Sequence, residues 1–208
     1  MRVRLEYTTT AGTFSLDGQS WEVENNVWVI GDDSECVLID APHEAQPILD
    51  IVDGRTVRAI LCTHAHDDHV TVARELSRAT GAPIRLHPAD EVLWRQSYPR
   101  LNFEPLADGD AVKVAGIEFQ VLHTPGHSPG AVCFYAPSLA MVFTGDTLFQ
   151  GGPGATGRSY SDFDTIIDSI RTKLFALSPA TAVHPGHGES TTIGAEAEHL
   201  QEWIDRGH

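Results

Sequence analysis

The chain has 208 residues, enough for one domain with a sizeable core. Its 41% hydrophobic content excludes an intrinsically disordered polypeptide. Acidic side chains outnumber basic ones 29 to 14, a formal charge of −15, so neither nucleic acid nor an anionic membrane is an expected partner.

Taken in order, the first third reads as strands. NNVWVIG and CVLIDA are β-rich runs separated by the turn-like DDSE, which predicts a hairpin. HEAQPILDIV carries a short helical pattern, and VRAILCTH reads as a buried-type strand. DDHVTVARELSRATG then predicts one helix, with Asp67 or Asp68 as its N-cap and Gly81 at its end. APIRLH is a short strand, and the stretch from Glu91 to Asp110 is less regular. AVKVAGIEFQVLHT predicts a hairpin turning at Gly116, followed by the strands GAVCFYAP and LAMVFTGD. SDFDTIIDSIRTKLFAL is the clearest helix, with Phe163, Ile166, Ile167, Ile170, Leu174 and Leu177 on its inner face. TAVHPGH is a last strand and GAEAEHLQEWIDR a closing helix. No linker interrupts the chain, so a single domain over residues 1–208 is expected, of α/β or α+β class. Two mixed sheets packed face to face with helices outside, four layers in all, would bury this set of elements.

The opening MRVRLEYTTTAGTF lacks the apolar core of a secretory signal, and no run approaches the roughly 18 apolar residues of a membrane span. Cys36, Cys62 and Cys133 are odd in number and sit in strand-like segments, as reduced core thiols would in a cytoplasmic protein.

The chemistry concentrates in THAHDDH, residues 63–69, at the end of an apolar run. On an extended segment His64 and His66 point to one side and can reach one ion. Asp68 and His69, where the chain turns into a helix, are placed to serve a second. Three further donors sit in short Gly-containing loops after β-runs: His127 in HTPGHSPG, Asp146 in VFTGDTLF and His187 in HPGHG. Helix capping would account for Asp68 alone and leaves the three clustered histidines unexplained. Seven nitrogen and carboxylate donors suit two borderline divalent ions, zinc first, with iron or manganese also compatible. Three imidazoles on one ion and Asp–His–His on the other leave one carboxylate to bridge, a role that fits Asp146. His43, His87, His199 and His208 have no motif around them and read as surface residues. His123 and His184 read either as groups that orient a ligand or as buried strand histidines. Asp40, ending VLID, either holds a ligand imidazole or marks a turn.

THAHDDH, TPGHSPG, FTGDTLF and PGHG, in that order, resemble the metallo-β-lactamase-fold hydrolases, and most of all their small glyoxalase II-like (hydroxyacylglutathione hydrolase-like) branch. The resemblance covers roughly residues 25 to 190. It implies an αβ/βα sandwich, a first metal on His64, His66 and His127, a second on Asp68, His69 and His187, and Asp146 bridging. It further implies hydrolysis of a small-molecule thioester or ester by a hydroxide held between the metals. Asp68 and Asp146 would be the catalytic carboxylates, with Asp68 handling a proton as the tetrahedral intermediate collapses. Asp67 stands where relatives often carry a bulky apolar residue, so different local packing is expected. The C-terminal helical region of the larger glyoxalase II enzymes is missing, which argues against a glutathione thioester. LFQGGPGATGRSYSDF reads as a mobile rim whose Arg158, Ser159 and Tyr160 either meet a polar or anionic substrate tail or simply lead into a helix. A lactonase is an alternative. So is a mononuclear-iron persulfide dioxygenase of the same fold, which would use His64, His127 and Asp146.

Overall fold

The computed structural model describes residues 2–207. Strands β1 (Arg4–Leu16) and β2 (Gln19–Gly31) pair antiparallel along their whole length. They turn at Asp17 and Gly18, both with positive φ (55° and 73°), the tight two-residue connection that matches strand twist. β3 (Glu35–Ile39) continues the meander. Its turn is closed by Asp32, whose Oδ1 accepts from Ser34 N (2.7 Å) and Glu35 N (2.9 Å). β4 (Thr56–Leu61), β5 (Ile84–Leu86) and β6 (Glu104–Pro105) then add in parallel. Parallel addition requires crossovers, here α1 (Ala45–Val52), then α2 (Asp67–Val70) with α3 (Ala73–Thr80), then α4 (Glu91–Ser97).

The second six-stranded sheet has the order β14-β13-β10-β9-β8-β7. It comprises β7 (Ala111–Val114), β8 (Ile117–His123), β9 (Val132–Ala136), β10 (Met141–Gly145), β13 (Ala182–Pro185) and β14 (Thr191–Thr192). Between β10 and β13, which run parallel, lie the small pair β11 (Leu148–Phe149) and β12 (Gly152–Pro153) and helix α5 (Phe163–Ser169). α5 runs on into one wider helical turn over Ile170–Leu174. α6 (Ile193–Ala197) and α7 (Leu200–Arg206) end the described chain.

Strand alternation sorts the apolar residues into three slabs of core. Trp28, Ile30, Val37 and Ile39 face Phe119, Val121, Phe134 and Phe143 between the two sheets. The opposite faces carry Val27, Val29, Leu38 and Ile60, packed on Ile48, Leu76 and Trp94 from the helices. Beyond the second sheet, Val142 and Val183 meet Ile166, Ile170 and Trp203. The result is the four-layer αβ/βα sandwich. All three cysteines are buried free thiols, and no helix among the described residues is long and apolar enough to cross a membrane.

Several local expectations need correction. The helix expected from Asp67 to Thr80 breaks at Val72 (φ −108°, ψ 14°), giving α2 and α3. Neither Asp67 nor Asp68 is its N-cap: His66 occupies that position without a side-chain bond, and both aspartates lie in the first turn. Asp67 Oδ1 instead accepts from Ser15 N (3.0 Å) on β1 and from Asp68 N (2.9 Å). The closing helix divides into α6 and α7 around Glu198 and His199, and the irregular middle contains α4. Gly81 does end α3 in the left-handed region (φ 75°), and Ala115–Gly116 turns the β7–β8 hairpin.

Candidate metal centre

Each donor stands just past a strand end. β4 runs into His64, His66 and the short α2, which presents Asp68 and His69. β8 leads to His127, β10 ends one residue before Asp146, and β13 ends two before His187. The fold brings all seven together at one edge of the sandwich. Their ligand atoms form three overlapping groups, each mutually within 4.8 Å: His64–His66–His127, His64–His69–Asp146 and Asp68–His69–His187.

Outer hydrogen bonds fix which atoms face inward. His69 Nδ1–H donates to Asp40 Oδ2 (2.9 Å), His127 Nδ1–H to Ala155 O (2.9 Å) and His187 Nδ1–H to Glu24 O (2.7 Å). Their Nε2 lone pairs therefore point into the cluster. Asp40 also accepts from Thr63 N (2.7 Å) and Thr63 Oγ1 (2.9 Å), leaving that hydroxyl to accept from His64 Nδ1 (3.1 Å). His64 Nε2 is buried without a hydrogen-bond partner. Asp40 thus orients the His69 imidazole, as the first of the two roles considered for it required.

The spacing fits a metal. A tetrahedral zinc site with bonds of about 2.0–2.1 Å has edges of roughly 3.3–3.4 Å between ligand atoms. In the second group, His69 Nε2 lies 3.2 Å from His187 Nε2 and 3.5 Å from Asp68 Oδ2, and His187 Nε2 lies 3.4 Å from Asp68 Oδ2. In the first, His66 Nδ1 and His127 Nε2 are 3.0 Å apart. Asp146 reaches both groups, its Oδ2 3.4 Å from His187 Nε2 and 3.6 Å from His127 Nε2, its Oδ1 3.2 Å from His69 Nε2.

So many facing lone pairs and carboxylates demand positive charge. Burial opposes a charged His69, yet Asp146, Asp68 and Asp40 outweigh it and push its pKa well above the ordinary value. Burial also opposes charge on His187, and Asp146 and Asp68 nonetheless raise it to about 10. Burial alone would raise Asp68, but the His69 charge and bonds from His187 and Asn25 bring it to about 2. His64 and His66, burdened chiefly by burial, are pushed down, His66 to about 3.

A cleft of about 640 Å³ opens over the cluster, walled by Phe14, Trp21, Val23, Phe149 and Arg158. Arg158 holds its guanidinium 4.2 Å from the Trp21 ring centre and 5.4 Å from that of Phe14. Ser159 and Tyr160 do not line the cleft. Ser159 N donates to Asp17 Oδ2 (3.0 Å) at the β1–β2 turn, and Tyr160 is exposed. The rim comprises the β11–β12 pair and a segment bonded to that turn, and α5 begins beyond it, capped by Asp162.

The other histidines divide. His199 is exposed, 3.2 Å from Glu202. His208 lies outside the described residues. His87 is half-buried, stacked on His123 with ring centres 4.0 Å apart, and His123 Nε2–H donates to Pro129 O (2.9 Å) on the loop holding His127. His184 is a core histidine between Trp28 and Phe143. His43 departs furthest from the surface reading: half-buried, it bonds Asn25, 2.7 Å away.

Sequence reasoning passed over four contributors. Asn25, wholly buried on β2, donates to Asp68 Oδ2 (3.0 Å). A polar pair directly before VWVIG, within a strand, was its signal. Asp90 accepts from Ala65 N (2.8 Å), Ser128 Oγ (2.8 Å) and Gly130 N (2.5 Å), tying the His64–His66 loop to the His127 loop. Phe14 and Trp21 wall the cleft because Asp17-Gly18, a recognisable hairpin turn, folds β1 onto β2.

Known proteins resemble this chain in sequence and in fold. The chain is 34% identical over 190 residues to hydroxyacylglutathione hydrolase GloC of Haemophilus influenzae, covering 83% of this chain and 90% of that one. The crystal structure of TTHA1623 in a di-iron-bound form superposes with a TM-score of 0.76 at 39% identity, covering 84% of this chain and 93% of that chain. BLEG-1 B3 metallo-beta-lactamase gives 0.75 at 28% identity, covering 92% and 98%. The metallo-beta-lactamase superfamily model matches residues 21–187, a span that takes in every one of the seven donors, and the chain belongs to that superfamily.

Proposed function

We propose that the protein is a dinuclear metal hydrolase acting on thioesters of low-molecular-weight thiols. The observation that carries this reading is the pair of donor groups that share Asp146 and open into one cleft. His64, His66 and His127 would hold one divalent ion and Asp68, His69 and His187 the other, zinc first and iron second. When bound, such ions supply an activated water and polarise a carbonyl oxygen.

The chain's own groups do the rest. Asp146 sets the spacing of the two donor groups. Asp68, held by Asn25 at its inward oxygen, is the carboxylate within reach of a proton released as the thiolate departs. Phe14, Trp21 and Phe149 offer apolar walls for an acyl or thiol chain, and Arg158 offers a fixed cation for a negatively charged tail. The relative named hydroxyacylglutathione hydrolase is matched over 90% of its length. A further C-terminal region is therefore no requirement for that name, and glutathione thioesters belong in the substrate panel.

The test is metal quantitation on the purified protein followed by hydrolysis of thioesters of several small thiols, with esters and lactones alongside. Two ions per chain and thiol release sustain the proposal. A single ferrous iron with oxygen uptake overturns it in favour of dioxygenase chemistry, and cleavage of lactones alone overturns the thioester assignment.

A further inference from the structure

The segment following β3, residues 40–43, carries two non-glycine residues in the left-handed backbone region, Asp40 (φ 65°) and His43 (φ 44°). Such conformations persist where the surroundings enforce them, and they mark positions worth explaining. Here both redirect a side chain toward the same donor group. Asp40 reaches His69, and His43 Nε2–H donates to Asn25 Oδ1 (2.7 Å). The segment is anchored on both sides: Ala41 N donates to His69 O (2.8 Å), and Thr10 Oγ1 donates to Pro42 O (3.3 Å).

Asn25 faces all three donors of the second group and none of the first. Its Nδ2 lies 3.0 Å from Asp68 Oδ2, 3.2 Å from His69 Nε2 and 3.3 Å from His187 Nε2. Asp68 Oδ2 is an acceptor, so the amide must present its NH2 and not its oxygen to it. A carboxamide can rotate by half a turn with little change in shape, and only its partners choose the orientation. The partner on the far side is His43.

We propose that His43 is a positioning residue for the second metal: by donating to Asn25 Oδ1 it locks the amide with its NH2 toward Asp68, and so presets that carboxylate for the ion. This rests on the dinuclear reading above. Burial lowers the His43 pKa and so favours the neutral imidazole, whose single N–H is spent on Asn25. Gly12 on β1 completes the arrangement: a Cβ there would collide with His43 Nδ1 and lie 2.7 Å from its Cγ. That strand position has no room for a side chain because the ring occupies it.

The experiment is calorimetric titration of metal-stripped protein with Zn2+, with folding checked by circular dichroism. Wild type should take up two ions. Asn25→Ala, His43→Leu and Gly12→Ala should each weaken the second by about 10–100-fold and leave the first unchanged, as loss of an outer partner does elsewhere. His43→Gln, which can still donate to Oδ1, should recover most of the affinity. Wild type binding fewer than two ions would sink the dinuclear reading itself. Two ions in wild type with unaltered affinities in the folded variants would overturn the His43 assignment alone, as would failure of His43→Gln to outperform His43→Leu.

Discussion

At the scale of single residues, the donors owe their direction to atoms that never face the cluster. Asp40 is the busiest of these, holding Thr63 through two bonds and His69 through a third. Asp40→Asn keeps the shape but weakens the acceptor facing the His69 N–H. Metal affinity should fall about 10–100-fold with the fold intact, as read by equilibrium dialysis. Asp146→Ala removes the carboxylate that both groups share, so bound metal should drop below two per chain and turnover should vanish. Retention of both ions in that variant, measured by elemental analysis, would refute the shared role. The seven donor positions were legible because four crowd into THAHDDH directly after an apolar run and three stand beside glycine in short loops, where packing asks for neither histidine nor aspartate. Asn25 and Asp90 were not, since a neutral amide and a helix-start carboxylate are each ordinary in a local window; their importance comes from partners 43 and 40 residues away.

At the scale of elements, the rim shows how tightly loops are seated on the donors. A Cβ on Gly154 would collide with Asp146 O and lie 3.3 Å from His127 Nδ1. Gly154→Ala must push the rim away from both, an overpacking cost of about 1–3 kcal/mol. The expected result is a lower thermal midpoint together with weaker metal binding. Equal midpoints for variant and wild type would show that the rim yields freely. Strands and turns with strong local chemistry were readable: DDSE, Ala115–Gly116 and Gly81 all behave as their residues dictate. The break between α2 and α3 was hidden because the apolar spacing continues across Val72, whose N–H bonds to Ala41 O in the 40–43 segment. The length of β1 was hidden too, because its run of threonines shows no alternation of apolar and polar residues.

At the scale of the whole molecule, the layers were expected and the strand order was not. Periodicity says which face of a strand is apolar, while the order of neighbours depends on where crossovers land. His184 illustrates what the central layer imposes. Packed among Trp28, Phe143 and the β10–β13 seam, it has its pKa lowered by burial to about 4 from 6.5. Above pH 6.5 the imidazole is neutral whether the chain is folded or not. As pH falls from 6.5 toward 4, the unfolded chain takes up a proton that the folded one refuses, and stability declines; below about 4 this contribution stops changing. The thermal midpoint of wild type should therefore drop more steeply across that window than that of His184→Gln. Parallel slopes would show that another group is responsible.

The position of the metal centre at the edge of the sandwich has a mechanical consequence. His64, His66, Asp68 and His69 extend from the first sheet's side, whereas His127, Asp146 and His187 extend from the second's. An ion coordinated by either group is thus a rivet through both sheets, fastening halves that otherwise adhere by greasy contact and a few polar ties such as Asp90. Chelation should loosen this rim before anything else melts. Hydrogen exchange would accelerate first in the loops at residues 63–69 and 126–130, well ahead of the strands behind them.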